Sequence, residues 1–483
     1  MTQPPLSVAG RIFSSCWLAA GMAFIAVTAR AQTPVAPARE ILTVDRPDDD
    51  DASGSLRWAV KQNNAEPGHY RIRVGGGVAP LHILLKNGLP PLASDTIIEG
   101  VSHDRGLGYD TIDGSGYIAY DVKSCPGMAP GQFGANVRTL NKPGLAVIDQ
   151  SRVAISGLEI THFCIGVLVL RSDHVTIQNN RISRNVGGAG VMFTGDDGAG
   201  NVVPGRTVNN RLIHNELFAN GDGAELTRGA AFNLFAENVF DAGDNNPEPS
   251  QGVEVLLGDD NVLARNEFRN YSDGIQINNG NRNYLVANVL HANTFGLSLT
   301  GVGNVADSND IYDNRFGVVV RSQREAGGAW LTRNIIRSNG KPIVRCYAGG
   351  SCDPLPDHGA VGIVFRSAPV PPGNGAPPAQ TVVAANALPA APRLTAITAG
   401  PEPSVTGVAL GRAQSATTIE LFGGARPGDA DAFLGSVTIP AGTGDQPFAV
   451  PLHLMSWPYL TATATLLTSG VTSSFAEPFP GTH

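Results

Sequence analysis

Acidic side chains recur at one fixed place in this sequence, two residues after a glycine that opens a short apolar segment. Glu225 and Glu254 occupy that place in two successive segments, and Gln276 occupies it in the next. The position just before each of these three glycines is also polar, and it holds Asp222, Gln251 and Asp273. Carboxyl groups held side by side raise one another's pKa, so one can carry a proton while its neighbour is ionised. General acid–base catalysis needs that division.

These side chains can meet only if their segments are neighbouring strands. The segments that share the leading glycine are residues 190–194, 223–227, 252–256, 274–278, 296–300 and 317–321. Their first and third residues after the glycine are almost all apolar, so we expect those to point inward and the second and fourth, such as Asn278, to point outward. Adjacent strands lie about 4.8 Å apart. We therefore predict Glu225 beside Glu254, with Gln276 as the next rung.

An asparagine repeat indicates how these strands are held. The asparagines that share one frame, each followed two residues later by Ile, Leu or Phe, are Asn180, Asn215, Asn238, Asn266, Asn288, Asn309 and Asn334. A repeat of about two dozen residues, punctuated by Gly, Asn and Asp, is typical of a stacked-coil β-solenoid. We interpret the asparagines as corner residues, because Asn tolerates left-handed backbone and bonds its own main chain.

The rest of the chain divides into regions around this solenoid. We predict a signal peptide over residues 1–31, a leader and N-terminal cap over 32–66, a parallel β-helix over 67–366, a linker over 367–392 and a β-sandwich over 393–483. Residues 53–64 form a capped amphipathic helix that covers the open first coil. The acidic run at residues 48–51 is either a solvated loop or a calcium loop. We predict an irregular insertion over residues 117–142.

Composition limits the partners of this protein. Among 483 residues, 6% are aromatic and 16% are charged, and the net charge is −8, which argues against nucleic acid and membrane surfaces. We expect a small anionic substrate or an acidic sugar, a periplasmic or secreted location, and no membrane insertion after signal removal. The oligomeric state stays open.

Four cysteines remain after removal of the signal, an even number in an oxidising compartment. We expect Cys346 to pair with Cys352 across a short loop and Cys125 to pair with Cys164, although the sequence permits three connectivities. A zinc site at the close pair is the alternative.

Arginine and long loops complete the predicted cleft. Arg228 ends the Glu225 strand and can both compensate the carboxylates and grip an anionic substrate. Loops at residues 195–200 and 244–251 are expected to wall the site. His162, Arg171 and His291 are candidates for its rim. Stacked Glu225 and Glu254 could also recruit a divalent metal ion, so the cofactor stays unknown.

Acid, base and an arginine clamp, without a nucleophilic triad, a phosphate loop or a nucleotide fingerprint, favour β-elimination. The substrate is either a uronic-acid polysaccharide or a small hydroxylated keto-acid. The small numbers of lysines and of aromatic residues, which stack on sugars, argue against the polysaccharide. A non-catalytic surface or periplasmic solenoid, with the glutamates solvated or holding calcium, is the alternative of another class.

The punctuated coils, residues 54–60 and the closing residues 461–465 resemble the secreted right-handed parallel β-helix proteins of the pectate-lyase-like superfamily. Residues 220–228, 246–254 and 271–276 are similar to segments of periplasmic 3-dehydroshikimate dehydratases of the β-helix type. This resemblance implies dehydration of 3-dehydroshikimate to protocatechuate in quinate and shikimate catabolism. It further implies that Arg228 binds the carboxylate, that Glu254 or Glu225 is the base, and that Asp273 or the partner glutamate is the acid.

Overall fold

The structure is a computed structural model. It describes residues 39–119, 121, 123–126, 142–244, 246–322, 328–346, 352, 355, 361–367, 388–452 and 456–481. The predicted signal peptide, most of the 117–142 insertion and most of the linker lie outside these residues.

Successive coils of the chain contribute one strand to each of three parallel sheets. The eleven-strand sheet contains β1 Glu40–Val44, β2 Tyr70–Val74, β4 Ile97–Gly100, β7 Ala154–Ser156, β10 Thr176–Gln178, β13 Arg211–Ile213, β16 Leu234–Ala236, β19 Val262–Ala264, β22 Tyr284–Val286, β25 Asn304–Asp307 and β28 Ala329–Thr332. The ten-strand sheet contains β3 His82–Leu84, β5 Asp110–Asp113, β8 Leu158–Thr161, β11 Arg181–Ser183, β14 Glu216–Phe218, β17 Val239–Asp241, β20 Glu267–Arg269, β23 Val289–His291, β26 Asp310–Tyr312 and β29 Ile335–Arg337.

The nine-strand sheet contains β6 Pro143–Ile148, β9 Ile165–Leu170, β12 Ala189–Thr194, β15 Asp222–Thr227, β18 Gln251–Leu256, β21 Asp273–Asn278, β24 Phe295–Leu299, β27 Phe316–Ser322 and β30 Ile363–Ser367. Each strand pairs in parallel with the strands one coil before and after it, as β15 does with β12 and β18. The predicted all-β parallel β-helix is therefore confirmed.

Asparagine ladders run inside the coils. Asn266 donates from its backbone N–H and its Nδ2 to Oδ1 of Asn288 in the next coil, both at 3.0 Å. Its Nδ2 also donates to the carbonyl of Phe235 in the previous coil at 2.9 Å. Because parallel coils leave corner amide groups without strand partners, each ladder supplies the hydrogen bonds that burial demands. Two more ladders run in parallel, through Asn210, Asn233, Asn261, Asn283 and Asn304 and through Asn293, Asn314 and Asn339.

One detail of the corner prediction is wrong. The ladder asparagines do not adopt left-handed backbone; the residue before each of them does. Examples are Glu237 with φ 59°, Arg265 with φ 55° and Ala287 with φ 55°. The corner thus turns at the preceding residue, which leaves the asparagine side chain to point inward and bond to its neighbours.

The amino-terminal end is covered by α1, Leu56–Ala65. Ser55 caps it by accepting a hydrogen bond from the backbone N–H of Trp58 at 3.2 Å, and its apolar face buries Leu56 and Val60. Short 3-10 turns follow at His103–Arg105 and Gly114–Gly116.

The acidic run before α1 is paired with cations. Asp48 and Asp50 contact Arg46, Asp49 contacts Arg57, and Asp51 contacts Lys61, all within 3.0 Å. The loop is therefore compensated by side chains of the cap itself.

The carboxyl-terminal strands are antiparallel. They are β31 Arg393–Thr398, β32 Ser404–Gly411, β33 Thr417–Gly424, β34 Ala432–Ile439, β35 Gly444–Pro451, β36 Tyr459–Leu466, β37 Val471–Thr472 and β38 Phe479–Pro480. Two sheets, β31-β32-β35 and β34-β33-β36-β37, enclose one apolar core. Glu420 of β33 accepts hydrogen bonds from the hydroxyl of Thr332 and the backbone N–H of Arg333. The sandwich therefore packs directly on the last coils.

Two disulfides join the cysteines of the described chain, Cys125 to Cys164 and Cys346 to Cys352. Cys164 directly precedes β9, and Arg345, next to Cys346, donates from its backbone to the hydroxyl of Thr294, directly before β24. Both bridges thus lie beside the nine-strand sheet. Within the described ranges, no helix has the length and apolar character to cross a bilayer.

We predict that Asn266→Ala lowers the free energy of unfolding by about 2–4 kcal/mol, because it removes the acceptor for two buried donors of Asn238 and two donors of its own. Urea unfolding followed by circular dichroism measures the change. Asn87→Ala, at an exposed side chain, is the control and should shift stability by less than about 0.5 kcal/mol. Equal shifts in the two variants would contradict a structural role for the ladder.

Candidate active site

The polar residues predicted to meet lie together on the outer face of the nine-strand sheet. Register places Glu225 of β15 opposite Glu254 of β18, and Glu254 opposite Gln276 of β21. Gln251 lies opposite Asp273 at the start of the same strands, and the backbone N–H of Gln251 donates to Asp222 at 3.1 Å. The structure therefore brings acidic groups from three coils onto one small surface.

Apolar side chains bound this polar surface along the solenoid axis. On one side lie the buried outer residues Ile165, Leu168 and Met192. On the other side lie Phe295, Phe316 and Val319, against which Leu355 packs. The acidic and amide side chains of this surface are thus confined to β15, β18 and β21, and the next rung, Ser298 of β24 opposite Gln276, is buried.

The carboxyls of this surface differ in exposure. Asp222 and Glu225 are less than a tenth exposed, and Asp273 is wholly buried. Glu254 and Gln276 are half-buried, as are Gln251 and Asn278 of the same two strands. A ligand in the cleft would therefore meet Glu254 and the amide side chains first, with the other carboxyls behind them.

Burial and mutual repulsion keep protons on this cluster. Burial, joined by the charges of Asp222 and Glu254, raises the pKa of Glu225 well above its usual range. Burial likewise raises the pKa of Glu254 to about 8, although nearby Arg228 and a hydrogen bond from Asn278 oppose the shift. Burial raises the pKa of Asp222 to about 6, while hydrogen bonds from Gln251, Ser250 and Glu225 hold it down. The site therefore combines protonated and ionised carboxyls near neutral pH.

Arg228 follows β15 directly, in left-handed backbone with φ 48°. Its Nε lies 3.3 Å from Oδ2 of Asp196, and the two side chains are 12% and 2% exposed. Its positive charge lowers the pKa of both Glu225 and Glu254. Arg228 therefore lies beside the carboxyl pair but has its ion pair with a loop residue.

Two acidic residues of the site were missed by the sequence reasoning. Asp196 belongs to the loop after β12, and Glu248 belongs to the loop before β18. A Glu248 carboxyl oxygen accepts a hydrogen bond from the backbone N–H of Gly187 at 2.8 Å, and the residue is 6% exposed. Burial and the charge of Asp222 raise the pKa of Glu248. The sequence predicts these loops as walls of the site, but nothing in it distinguishes these carboxyls from exposed ones.

The three rim candidates lie in different places. Arg171 contacts the site loop, since its Nη1 donates to the carbonyl of Asp196 at 2.6 Å. His162 pairs with Asp113 at 3.2 Å, and His291 pairs with Glu267 at 3.2 Å on the ten-strand sheet. The two histidines therefore belong to other surfaces. Among the residues that the structure describes, no group of three or more His, Cys, Asp and Glu side chains is placed to hold a metal ion.

Comparison with known proteins shows the family to which the chain belongs. A 3-dehydroshikimate dehydratase of Acinetobacter baylyi is 47% identical to it over 328 residues, which make up 67% of this chain and 68% of that protein. This chain belongs to the family of 3-dehydroshikimate dehydratases. The family resemblance predicted from the coil segments is confirmed, as is the assignment to enzymes.

Other matches are more distant. A family model described as periplasmic copper-binding protein (NosD) matches residues 130–343. The A-module of the mannuronan C-5 epimerase AlgE4 of Azotobacter vinelandii is 14% identical, with a TM-score of 0.35, over 64% of this chain and 96% of that one. The Dettilon tailspike protein is 11% identical, with a TM-score of 0.39, over 90% and 92%. Similarities this weak carry no argument about the reaction of the dehydratase family.

The buried carboxyls predict a pH dependence of stability. Unfolded, Glu254 has an ordinary pKa near 4.5, whereas folded it has one of about 8, so between these values only the folded protein retains the proton. Stability should therefore fall as pH rises from about 5 to about 8. Melting temperature measured across this range should decline, and Glu254→Gln should flatten the decline.

Glu216→Gln, which changes an exposed glutamate of β14, is the control and should keep the slope of the unmodified protein. A Glu254→Gln variant with that same slope would show that Glu254 is not desolvated in the folded state.

Proposed function

We propose that this protein dehydrates 3-dehydroshikimate to 3,4-dihydroxybenzoate, the reaction for which its family is named. The observation that carries the assignment to this site is the pair Glu225 and Glu254 in adjoining coils with Arg228 beside them. The pair supplies an acid and a base, and the arginine supplies a partner for the substrate carboxylate.

The size of the polar surface supports a small substrate. Gln276 lies two strand spacings from Glu225, or about 10 Å, and apolar residues bound the surface beyond β12 and β24. One six-membered ring fits this length. A cleft for a uronic-acid polymer would continue across more coils, so the polysaccharide alternative has less support.

The exposure and the protonation state of Glu254 and Glu225 determine the catalytic role that we assign to each. Glu254 is the carboxyl that faces the cleft, and we assign it as the base that takes a proton from the carbon next to the ring ketone. The electron pair of that C–H bond forms a new C=C bond while the C–O bond on the adjacent carbon breaks. Glu225, kept protonated by burial and hydrogen-bonded to Asp222, gives its proton to the departing hydroxyl, which leaves as water.

A tautomerisation completes the aromatic ring. One further ring proton is lost and the ketone oxygen gains one, so the net change is the loss of one water. Glu254 has then gained the proton that Glu225 has lost. Because the two side chains are neighbours in register, transfer between them restores the resting state.

We assign the remaining polar residues to binding and orienting the substrate. We assign Arg228 to the substrate carboxylate, and Gln251, Gln276 and Asn278, which are half-buried, to the ring oxygens. Asp273 is wholly buried, so we assign it to the polar shell behind the base rather than to proton transfer. We also propose that the protein works in the periplasm or outside the cell, which its signal-like amino terminus and the description of the matching family model support.

Purified protein should convert 3-dehydroshikimate to 3,4-dihydroxybenzoate, followed by the absorbance of the aromatic product. Glu254→Gln should lower the rate by a factor on the order of 10²–10⁴, because it removes the base. Glu216→Gln should leave the rate unchanged. Retention of turnover by Glu254→Gln would remove the proposed base, and cleavage of alginate or pectate without turnover of 3-dehydroshikimate would restore the polysaccharide alternative.

The pH profile distinguishes the two glutamates. If Glu254 is the base it must be ionised, so kcat/KM should rise as pH increases through about 8. The rise should end once Glu225, whose pKa is also raised by burial, begins to lose its proton. A kcat/KM that instead falls through about pH 8 would exchange the roles, with Glu254 as the acid.

A further inference from the structure

The loop between β12 and β13 orients the arginine of the site. Asp196 of this loop presents Oδ2 to Nε of Arg228 at 3.3 Å. Its other carboxylate oxygen accepts hydrogen bonds from the backbone N–H groups of Gly198 at 2.7 Å and Gly200 at 2.9 Å. Asp196 is 2% exposed, so both oxygens are fixed by contacts that water does not share.

The backbone of Asp196 is fixed as well. Its carbonyl accepts from Arg171, whose Nε and Nη2 grip Asp149 at 2.9 and 2.7 Å. The preceding Gly195 donates its backbone N–H to the carbonyl of Thr227, the last residue of β15, at 3.2 Å. Because β15 also carries Glu225, this bond joins the loop to the strand of the proposed acid.

Among the residues that the structure describes, Asp196 forms the ion pair of Arg228 through Nε, which leaves the other edge of the guanidinium for a ligand. Arg228 has its ion pair with Asp196 rather than with Glu225 or Glu254, although both glutamates lie close enough for its charge to lower their pKa. Because Asp196 contacts Nε of Arg228, the two terminal nitrogens of this guanidinium can still donate two parallel N–H groups to a carboxylate.

We propose that Asp196 is a positioning residue that makes the site selective for a carboxylate-bearing ring. The proposal rests on the proposed function. Asp196 acts through Arg228 and does not touch the substrate. Its loss should weaken recognition of the carboxylate while leaving recognition of the rest of the ring intact.

Asp196→Asn tests this directly. The variant keeps an oxygen for the N–H groups of Gly198 and Gly200, but it can turn an amide towards Nε of Arg228, where two donors then face each other. Asp197→Asn is the matched control, because Asp197 is exposed and bonds within the loop to Ala199 and Asn201.

Two ligands that differ in one group provide the readout. Calorimetry with 3,4-dihydroxybenzoate and with 3,4-dihydroxybenzaldehyde measures affinity with and without the carboxylate. Asp196→Asn should weaken the benzoate by about tenfold or more, as expected for one charge-assisted pair, and should leave the aldehyde unchanged. With 3-dehydroshikimate, KM should rise by a similar factor while kcat changes little.

Each other result overturns the proposal. Unchanged benzoate affinity in Asp196→Asn would show that Arg228 is oriented without it. An equal loss for both ligands, or the same loss in Asp197→Asn, would show that the loop only supports the fold. Failure of the unmodified protein to turn over 3-dehydroshikimate would instead contradict the proposed function, and the comparison of benzoate with aldehyde would still be measurable.

Discussion

The hydrogen-bonded stacking of identical corners is the constraint on which this molecule depends. Asparagines within a ladder bond to the coil before and the coil after, as Asn266 does with Phe235 and Asn288. A slip of one residue would break these bonds and turn the inward side chains outward. The ladders therefore fix the register that sets Glu225 opposite Glu254. The geometry of the candidate site therefore follows from a purely structural interaction at the corners of the coils.

Such a scaffold tolerates a site that is itself unfavourable. Four carboxyls, Asp222, Glu225, Glu248 and Glu254, have pKa values raised by burial, which means that their ionised forms destabilise the fold at higher pH. The long parallel sheets and the continuous apolar core on either side supply the stability that this cluster lowers. Because the carboxyl cluster is confined to three coils, the destabilisation that it causes is limited to that part of the solenoid.

Loops add acidic side chains to the surface that the strands form. The strands supply Glu225, Glu254 and Gln276, whereas the insertions supply Asp196, which pairs with Arg228, and Glu248, which accepts a hydrogen bond from the backbone of Gly187 just before β12. Both disulfides lie beside strands of the same sheet: Cys164 directly precedes β9, and Cys346 follows Arg345, which bonds to Thr294 directly before β24. The division agrees with the general pattern in which a rigid scaffold is shared and loops determine the ligand.

The sequence by itself determined the coil repeat, the parallel β-helix and the strand face shared by Glu225, Glu254 and Gln276, because strand alternation and repeat spacing are local properties of the chain. Only the tertiary structure decided that Glu237 and Arg265, and not the asparagines after them, adopt the left-handed corner backbone. It also decided that Asp196 pairs with Arg228 and that burial raises the pKa of Glu254 to about 8. Contacts and burial of this kind depend on the conformations of long loops that pack against the sheet. The spacing of residues along the chain does not determine those conformations.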